Sequence, residues 1–446
     1  MKINIKIGES SYAMLSTLAA MMGNLLVMLM LVRYFSQEDF GQWVLYLSLF
    51  TLAEMARTGI VQNGMVKFTQ SNPNDYKEIL TAAVMLHMVL GLGLWLVLVV
   101  ISFPLAEIWK SPALIELSPL YGLTFITLGS LRFGEYVQMA NQDFKGVFWG
   151  NGIFALTYSA IIGVLFVGNF IFDWADVLYI QAGAALLGAL FVWNYRKSMF
   201  QFGAIRWVWI ARLFHYGKFS LGTNLSSMLL QRVDIALLGY FVNPAAVASY
   251  NIASRAPNYM EVPLKGGAQY FFPKIASAYR NGEGKERAAR LYEEALGMML
   301  AINIPLCVGA FIFAKPILYI LGGPDYLGAQ LILWILLANT LIKPFARMFG
   351  TVLDAIGKPE VNFKLVFFSI LLNLVANLIF IPIWGGVGAA VGTILAMILM
   401  NLVSFGILKD YIPFQLNALP NWIMFYYKKW WAFLPFNRRQ PTEKIH

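Results

Sequence analysis

Apolar runs long enough to cross a membrane recur along the whole chain and leave room for little else. Two of the clearest cover 80–103 and 296–313. A hydrocarbon core takes about 20 such residues per helix. Lipid offers the backbone no hydrogen-bond partner, so a continuous run of this kind must be helical. The composition agrees. The chain is 59% hydrophobic and only 13% charged, against roughly 25% charged in soluble domains. An all-α, multi-pass membrane protein is expected.

Hydropathy and turn signals mark twelve spans, near 10–32, 42–66, 79–102, 119–141, 148–168, 177–195, 219–242, 248–273, 291–313, 328–352, 362–384 and 387–408. With the N-terminus in the cytoplasm, 23 Lys and Arg fall in inner segments, three in outer ones (Arg33, Lys110 and Lys315) and seven inside spans. Cytoplasmic loops carry an excess of Lys and Arg, and a wrong count would scramble the alternation. The net charge of +10 therefore reports topology, not nucleic-acid binding. Both termini are expected in the cytoplasm, with the chain in the inner (plasma) membrane. The basic, then apolar, start has no small-residue cleavage site soon after it and reads as an uncleaved first span.

The stretch EMARTGIVQNGMVK at 54–67 is echoed 207 positions later by EVPLKGGAQYFFPK at 261–274. Glu54 matches Glu261, Gly59 matches Gly266 and Lys67 matches Lys274. Arg132 and Arg347 form a second echo, and Tyr34-Phe35 and Tyr240-Phe241 a third. Two parallel six-span repeats around a central cavity are expected: a first half with its connecting segment at 1–213, a second half at 214–411, and an aromatic, basic tail at 412–446. Repeats of this kind place a transport site at their interface. Outside the spans, 196–218 and 421–439 mix aromatic with basic residues and are expected as interfacial helices on the inner leaflet. Gly59 and Gly64 are expected to interrupt span 2, and Pro257, Pro263, Gly266 and Gly267 to interrupt span 8.

The bases inside spans are Arg57, Arg132, Arg232, Arg255, Lys265, Lys343 and Arg347; the acids are Glu54, Glu135, Asp234, Glu261 and Asp354. Each costs about 2.5–3.5 kcal/mol if it faces lipid at mid-depth. They must pair, face water or sit near an interface. Glu54 with Arg57, Arg132 with Glu135, and Glu261 with Lys265 are three or four residues apart and can pair on one helix face; ligand contact is as open to them. Lys343 and Arg347 share a face and a sign. They call for an outside anion or for an acid from another helix. All seven bases are candidate ligands for an anion, since guanidinium groups grip phosphate oxygens bidentately.

Other chemistry is hard to build. Cys307 is the single cysteine, and His87, His215 and His446 lack metal-ligand spacing. No phosphate-binding Walker loop is present, and no outer segment is long enough for a catalytic surface. Neither an enzyme nor a cofactor or metal is expected.

The segments LVRYFSQEDFGQWVLYLSL, GYFVNPAAVASYNIASR and DAIGKPEVNFK carry a resemblance that covers nearly the whole chain. They resemble the polysaccharide transporter family, the Wzx-type O-antigen flippases of the multidrug/oligosaccharidyl-lipid/polysaccharide exporter (MOP) superfamily. The resemblance implies alternating-access movement of an undecaprenyl-diphosphate-linked oligosaccharide, an O-antigen, capsule or exopolysaccharide unit, from the cytoplasmic to the periplasmic leaflet. It also implies H+ or Na+ coupling, for which Glu54, Asp234, Glu261 and Asp354 are candidates, and a monomer working beside a polysaccharide polymerase in membrane lipid. The alternative is an ion-coupled exporter of drugs or other small amphiphiles. The topology has a direct check: in a Cys307→Ala background, cysteines at Ser111 and Asn243 should react with an impermeant thiol reagent from outside. Labelling at Asn281 under the same conditions would contradict the orientation.

Overall fold

The computed structural model describes residues 9–280 and 284–433, most of them in helices. The basic chain ends and Asn281 lie outside the described residues. The helices fall into two compact units, one up to Ala248 and one from Ser249. The first holds α1 (Glu9–Tyr34), α2 (Gln37–Ser71), α3 (Tyr76–Ile108), α4 (Ala113–Ala140), α5 (Phe144–Val167), α6 (Trp174–Tyr195) and α7 (Trp207–Phe241). The seam lies inside α8 (Pro244–Tyr259). The second unit continues with α9 (Glu261–Arg280), α10 (Gly284–Ile312), α11 (Ala314–Gly322), α12 (Gln330–Ala355), α13 (Pro359–Lys409) and α14 (Leu419–Phe433). This is an all-α membrane protein. Nine of the described helices are long and apolar enough to span a bilayer. The 51-residue α13 counts once among them but bends at Gly385, between the expected spans 11 and 12.

Helix ends are set by local chemistry. Ser36 caps α2, its hydroxyl accepting from the Asp39 amide, and Asp173 and Asp176 form a reciprocal capping box at α6. Asp143 caps α5. The repeat shows in these details. Asn243 stands 207 positions after Ser36 and accepts from the Ala246 amide at 2.8 Å, ahead of α8 as Ser36 is ahead of α2. The echoed Tyr34–Phe35 and Tyr240–Phe241 rings meet edge-on at 79° and 78°. Lys67 and Lys274 each reach over aromatic rings, those of Tyr216 and Tyr270 at 4.4 and 3.9 Å. These matches are compatible with two copies of one plan.

The copies differ where the sequence echo is richest in proline. Span 8 is divided at Met260 into α8 and α9, between Pro257 and Pro263. Span 2 is not interrupted: α2 runs unbroken through Gly59 and Gly64. Gly64 instead lets α7 approach, facing Leu213 and Tyr216, and Gly217 in turn faces the backbone of Ile60. This contact along α2 and α3 is why α7 belongs to the first compact unit, although it opens the second half of the sequence. Trp209 and Leu213 complete a core with Ile60, Val61, Met65, Ile79, Leu80, Phe133 and Tyr136.

The connecting segment also departs from expectation. It is not a separate interfacial helix. Residues 200–206 lie outside any helix, and 207–218 are the first turns of α7. The strap is tied to the start of α3: the Gly203 amide donates to the Lys77 carbonyl, the Tyr76 hydroxyl donates to the Met199 carbonyl, and Arg206 pairs with Asp75 and Glu78. Backbone groups that would have needed a helix find partners there instead. Ser111 is fully buried against Gln42, so exposed Ile171 is the better outer labelling position.

The bend in α13 has a testable cost. Gly385 holds φ 56° and ψ −129°, a region essentially closed to residues with a Cβ. Gly385→Ala should cost about 1–3 kcal/mol, seen as a lower thermal midpoint in detergent. Gly406→Ala, with open space around it in the same helix, should be close to neutral.

Candidate functional site

In the first unit the intramembrane charges are closed on themselves. Arg57 is fully buried, and its guanidinium donates to Glu54 one turn earlier on α2. A second nitrogen of Arg57 lies 2.9 Å from His87 Nε2 on α3. Arg has only donors, so His87 must accept there, neutral and with its proton on Nδ1. The Tyr121 hydroxyl of α4 donates to the other Glu54 oxygen at 2.8 Å, and Phe125 covers the guanidinium at 5.1 Å. Three helices are thus joined through one ion pair. Thr58 and Tyr136 meet alongside at 3.0 Å.

A second network lies on α4. Arg132 donates to Glu135 at 2.8 Å and to Asn151 Oδ1 of α5 at 3.1 Å, and Asn151 donates to Ser16 Oγ of α1 at 3.1 Å. Glu135 is almost completely buried while Arg132 is one-third exposed. Both pairs are among those the spacing allowed. On α7, Arg232 is partly exposed and Asp234 buried; both engage other groups of the protein.

The second unit is arranged differently. Glu261 does not pair with Lys265 on its own helix. It accepts from Lys343 of α12, so the acid that Lys343 called for comes from another helix. Lys265 and Arg347 are each one turn beyond that bridge, on α9 and α12. Both are exposed, and neither has an acid in ion-pair reach among the described residues. Asp354 accepts from Asn362 instead, at 2.9 Å, and Arg255 holds Asn251 Oδ1 on the preceding turn at 3.0 and 3.3 Å. Lys265 and Arg347 thus stand one turn from the Glu261–Lys343 bridge on the two helices that it joins. Two uncompensated cations at membrane depth are tolerable only where they meet water or a bound anion.

The partners His87, Tyr121, Asn151 and Ser16 carry no signal in the linear sequence beyond being polar inside apolar runs. They lie 19–135 positions from the groups they hold. The described residues contain no cluster of His, Cys, Asp and Glu fit for a metal.

Residues 30–331 match the family model described as polysaccharide biosynthesis protein. The chain belongs to this family. It is 23% identical over 287 residues to the probable low-salt glycan biosynthesis flippase Agl15 of Haloferax volcanii, covering 64% of this chain and 57% of that one. It is 20% identical over 441 residues to the lipopolysaccharide biosynthesis protein WzxC of Escherichia coli, covering 94% and 85%. An uncharacterized membrane protein of Methanocaldococcus jannaschii, MJ1068, is 28% identical over 48% of this chain and 42% of its own. The chain thus spans about half the length of several relatives it matches. Two solved structures share the fold at a TM-score of 0.72: an inward-facing multidrug resistance MATE family transporter of the MOP superfamily (15% identity, 92% and 99% covered) and the lipid II flippase MurJ, inward closed (13%, 96% and 93%).

The two kinds of charge should respond differently to mutation. Arg57→Gln strands Glu54 and should cost about 3–5 kcal/mol, with much of the loss recovered in Glu54→Gln/Arg57→Gln. Arg347→Ala strands nothing and should move stability by no more than about 0.5 kcal/mol. Thermal unfolding of the purified variants in detergent checks both.

Proposed function

We propose that the protein is a flippase that carries a prenyl-diphosphate-linked oligosaccharide from the cytoplasmic to the outer leaflet of the inner (plasma) membrane. Both termini face the cytoplasm. The observation that carries this reading is the exposure of two bases, Lys265 and Arg347, each one turn beyond the Glu261–Lys343 bridge. A diphosphate brings compensating negative charge and an oxygen array suited to a bidentate guanidinium. Family membership and the flippase names of the relatives support the same substrate class. A cationic drug would meet like charge at these bases, so the fold shared with multidrug transporters does not favour drug export.

The bridge gives the substrate site a way to change. A bound diphosphate competes with Glu261 for Lys343, leaving the released carboxylate free to take a proton or Na+. Glu261 is therefore the coupling candidate nearest the proposed substrate site. Glu54 is held by Arg57 and Tyr121. The remaining bases, Arg57, Arg132, Arg232 and Arg255, stay secondary candidates, since the first two are already engaged by acids.

In a flippase-null strain supplied with a defined glycan repeat unit, Arg347→Ala should abolish export while the protein inserts at near-normal level. Arg347→Lys should recover part of the activity, because an ammonium keeps the charge and loses the fork. Wild-type export by Arg347→Ala would overturn the substrate-binding role.

A further inference from the structure

Helix α14 has the sequence LPNWIMFYYKKWWAF and no acidic residue. One side of it is docked. Leu419, Trp422, Ile423 and Tyr426 recur at helical spacing, and Leu419 and Tyr426 are buried. Trp422 lies against Gly297 of α10, where any side chain would meet its Cβ, and the Tyr426 hydroxyl donates to Glu294 Oε1 at 2.9 Å. Upstream, the Gln415 amide donates to Glu293 Oε1 at 2.6 Å and ties the connecting segment to the same helix.

The docking fixes a depth. The first turns of α10 carry Lys285, Glu286, Arg287, Arg290, Glu293 and Glu294, and from Ala295 to Ile312 the helix has no charge. Charged turns stay out of the hydrocarbon, so the membrane boundary crosses α10 close to Glu294 and Gly297. Those are the positions that grip α14. The helix therefore lies at the level of the lipid headgroups.

The opposite side of α14 faces away from the protein. Met424 is 54%, Phe425 47% and Trp431 66% exposed. On a helical wheel Lys428 lies among them, directly opposite the docked side, with Lys429 flanking. Both lysines are exposed, and no acid is in ion-pair reach of either among the described residues. A soluble surface rarely shows this much aromatic area without a use. Apolar and aromatic side chains interleaved with lysines match the acyl boundary and the anionic headgroups above it.

We propose that α14 is a surface helix clamped to α10 whose outer face binds anionic phospholipid headgroups through Lys428 and Lys429, with Met424, Phe425 and Trp431 seated at the acyl boundary. The occupant is the bilayer the protein spans, not its transported substrate. The proposal stands independently of the flippase reading.

The test uses the full chain in nanodiscs, with Cys307→Ala and a nitroxide on Phe425→Cys. Depth is read from collision with oxygen against collision with an aqueous nickel chelate. In zwitterionic phosphatidylcholine the label should already be shielded from the chelate. Adding phosphatidylglycerol should move it deeper, and Lys428→Gln/Lys429→Gln should abolish that lipid-dependent shift. Shielding without dependence on lipid charge would overturn the headgroup site. Free access of the chelate in both lipids would overturn membrane docking altogether. Shielding that arises only on addition of soluble cell extract would mean that the face receives a protein.

Discussion

A charge placed at membrane depth needs an opposite charge, a cluster of dipoles or water, and the organisation of this protein follows from how each charge meets that need. Arg57 shows the closed solution. It is fully buried, and three helices contribute groups to it: Glu54 from α2, His87 from α3, and the Phe125 ring from α4, while Tyr121 secures the carboxylate. Removing either Arg57 or Glu54 leaves the other charge stranded in a low-dielectric setting. Such a knot fixes how α2, α3 and α4 pack. Within it, Arg57 Nε and His87 Nδ1 are buried without a hydrogen-bond partner.

The repeat partner of Glu54 shows the open solution. Glu261 occupies the equivalent place, but Leu264 stands where Arg57 would be expected. The acid therefore reaches across to Lys343 on α12. A bridge between two helices can open when they move or when another anion competes; a pair within one turn of one helix has less freedom. Lys265 and Arg347 follow it by one turn on α9 and α12, with no acid in ion-pair reach among the described residues. The echoed segments thus differ in use: Glu54 is held within its own helix, and Glu261 is bridged to another. The proline-flanked division between α8 and α9 falls directly before Glu261, so the backbone differs from the unbroken α2 at the same place.

Much of the architecture was legible in the sequence because bilayer thickness and charge placement leave few choices. The helices at spans 1–6 and 9–12 follow from hydropathy, and the division of span 8 from its prolines; spans 7 and 8 are helical but not among the described helices long and apolar enough to cross a bilayer, and spans 11 and 12 form one helix bent at Gly385. The connecting segment 196–218 was harder. Its aromatic and basic residues resemble an interfacial helix, but Gly203, Met199, Gly217 and Arg206 find their partners at Lys77, Tyr76, Ile60, Asp75 and Glu78, more than a hundred positions earlier. The charged residues of the candidate site were visible as intramembrane charges. Their partners were not: spacing offered Lys265 to Glu261, and tertiary packing supplied Lys343. Nor could spacing foresee that Gly64 would serve helix packing and not helix interruption.

The central claim is that Lys265 and Arg347 form an open anion site for a lipid diphosphate, and binding tests it most directly. Purified protein can be titrated with a short-chain prenyl diphosphate and with the matching prenyl alcohol, by microscale thermophoresis at fixed salt. The account predicts that the diphosphate binds tighter than the alcohol by roughly tenfold or more, as expected for a charge-assisted bidentate contact, and that Lys265→Gln/Arg347→Gln removes the difference while alcohol binding persists. Equal affinity for the two ligands in the wild-type protein, or an undiminished preference in the double variant, would contradict it.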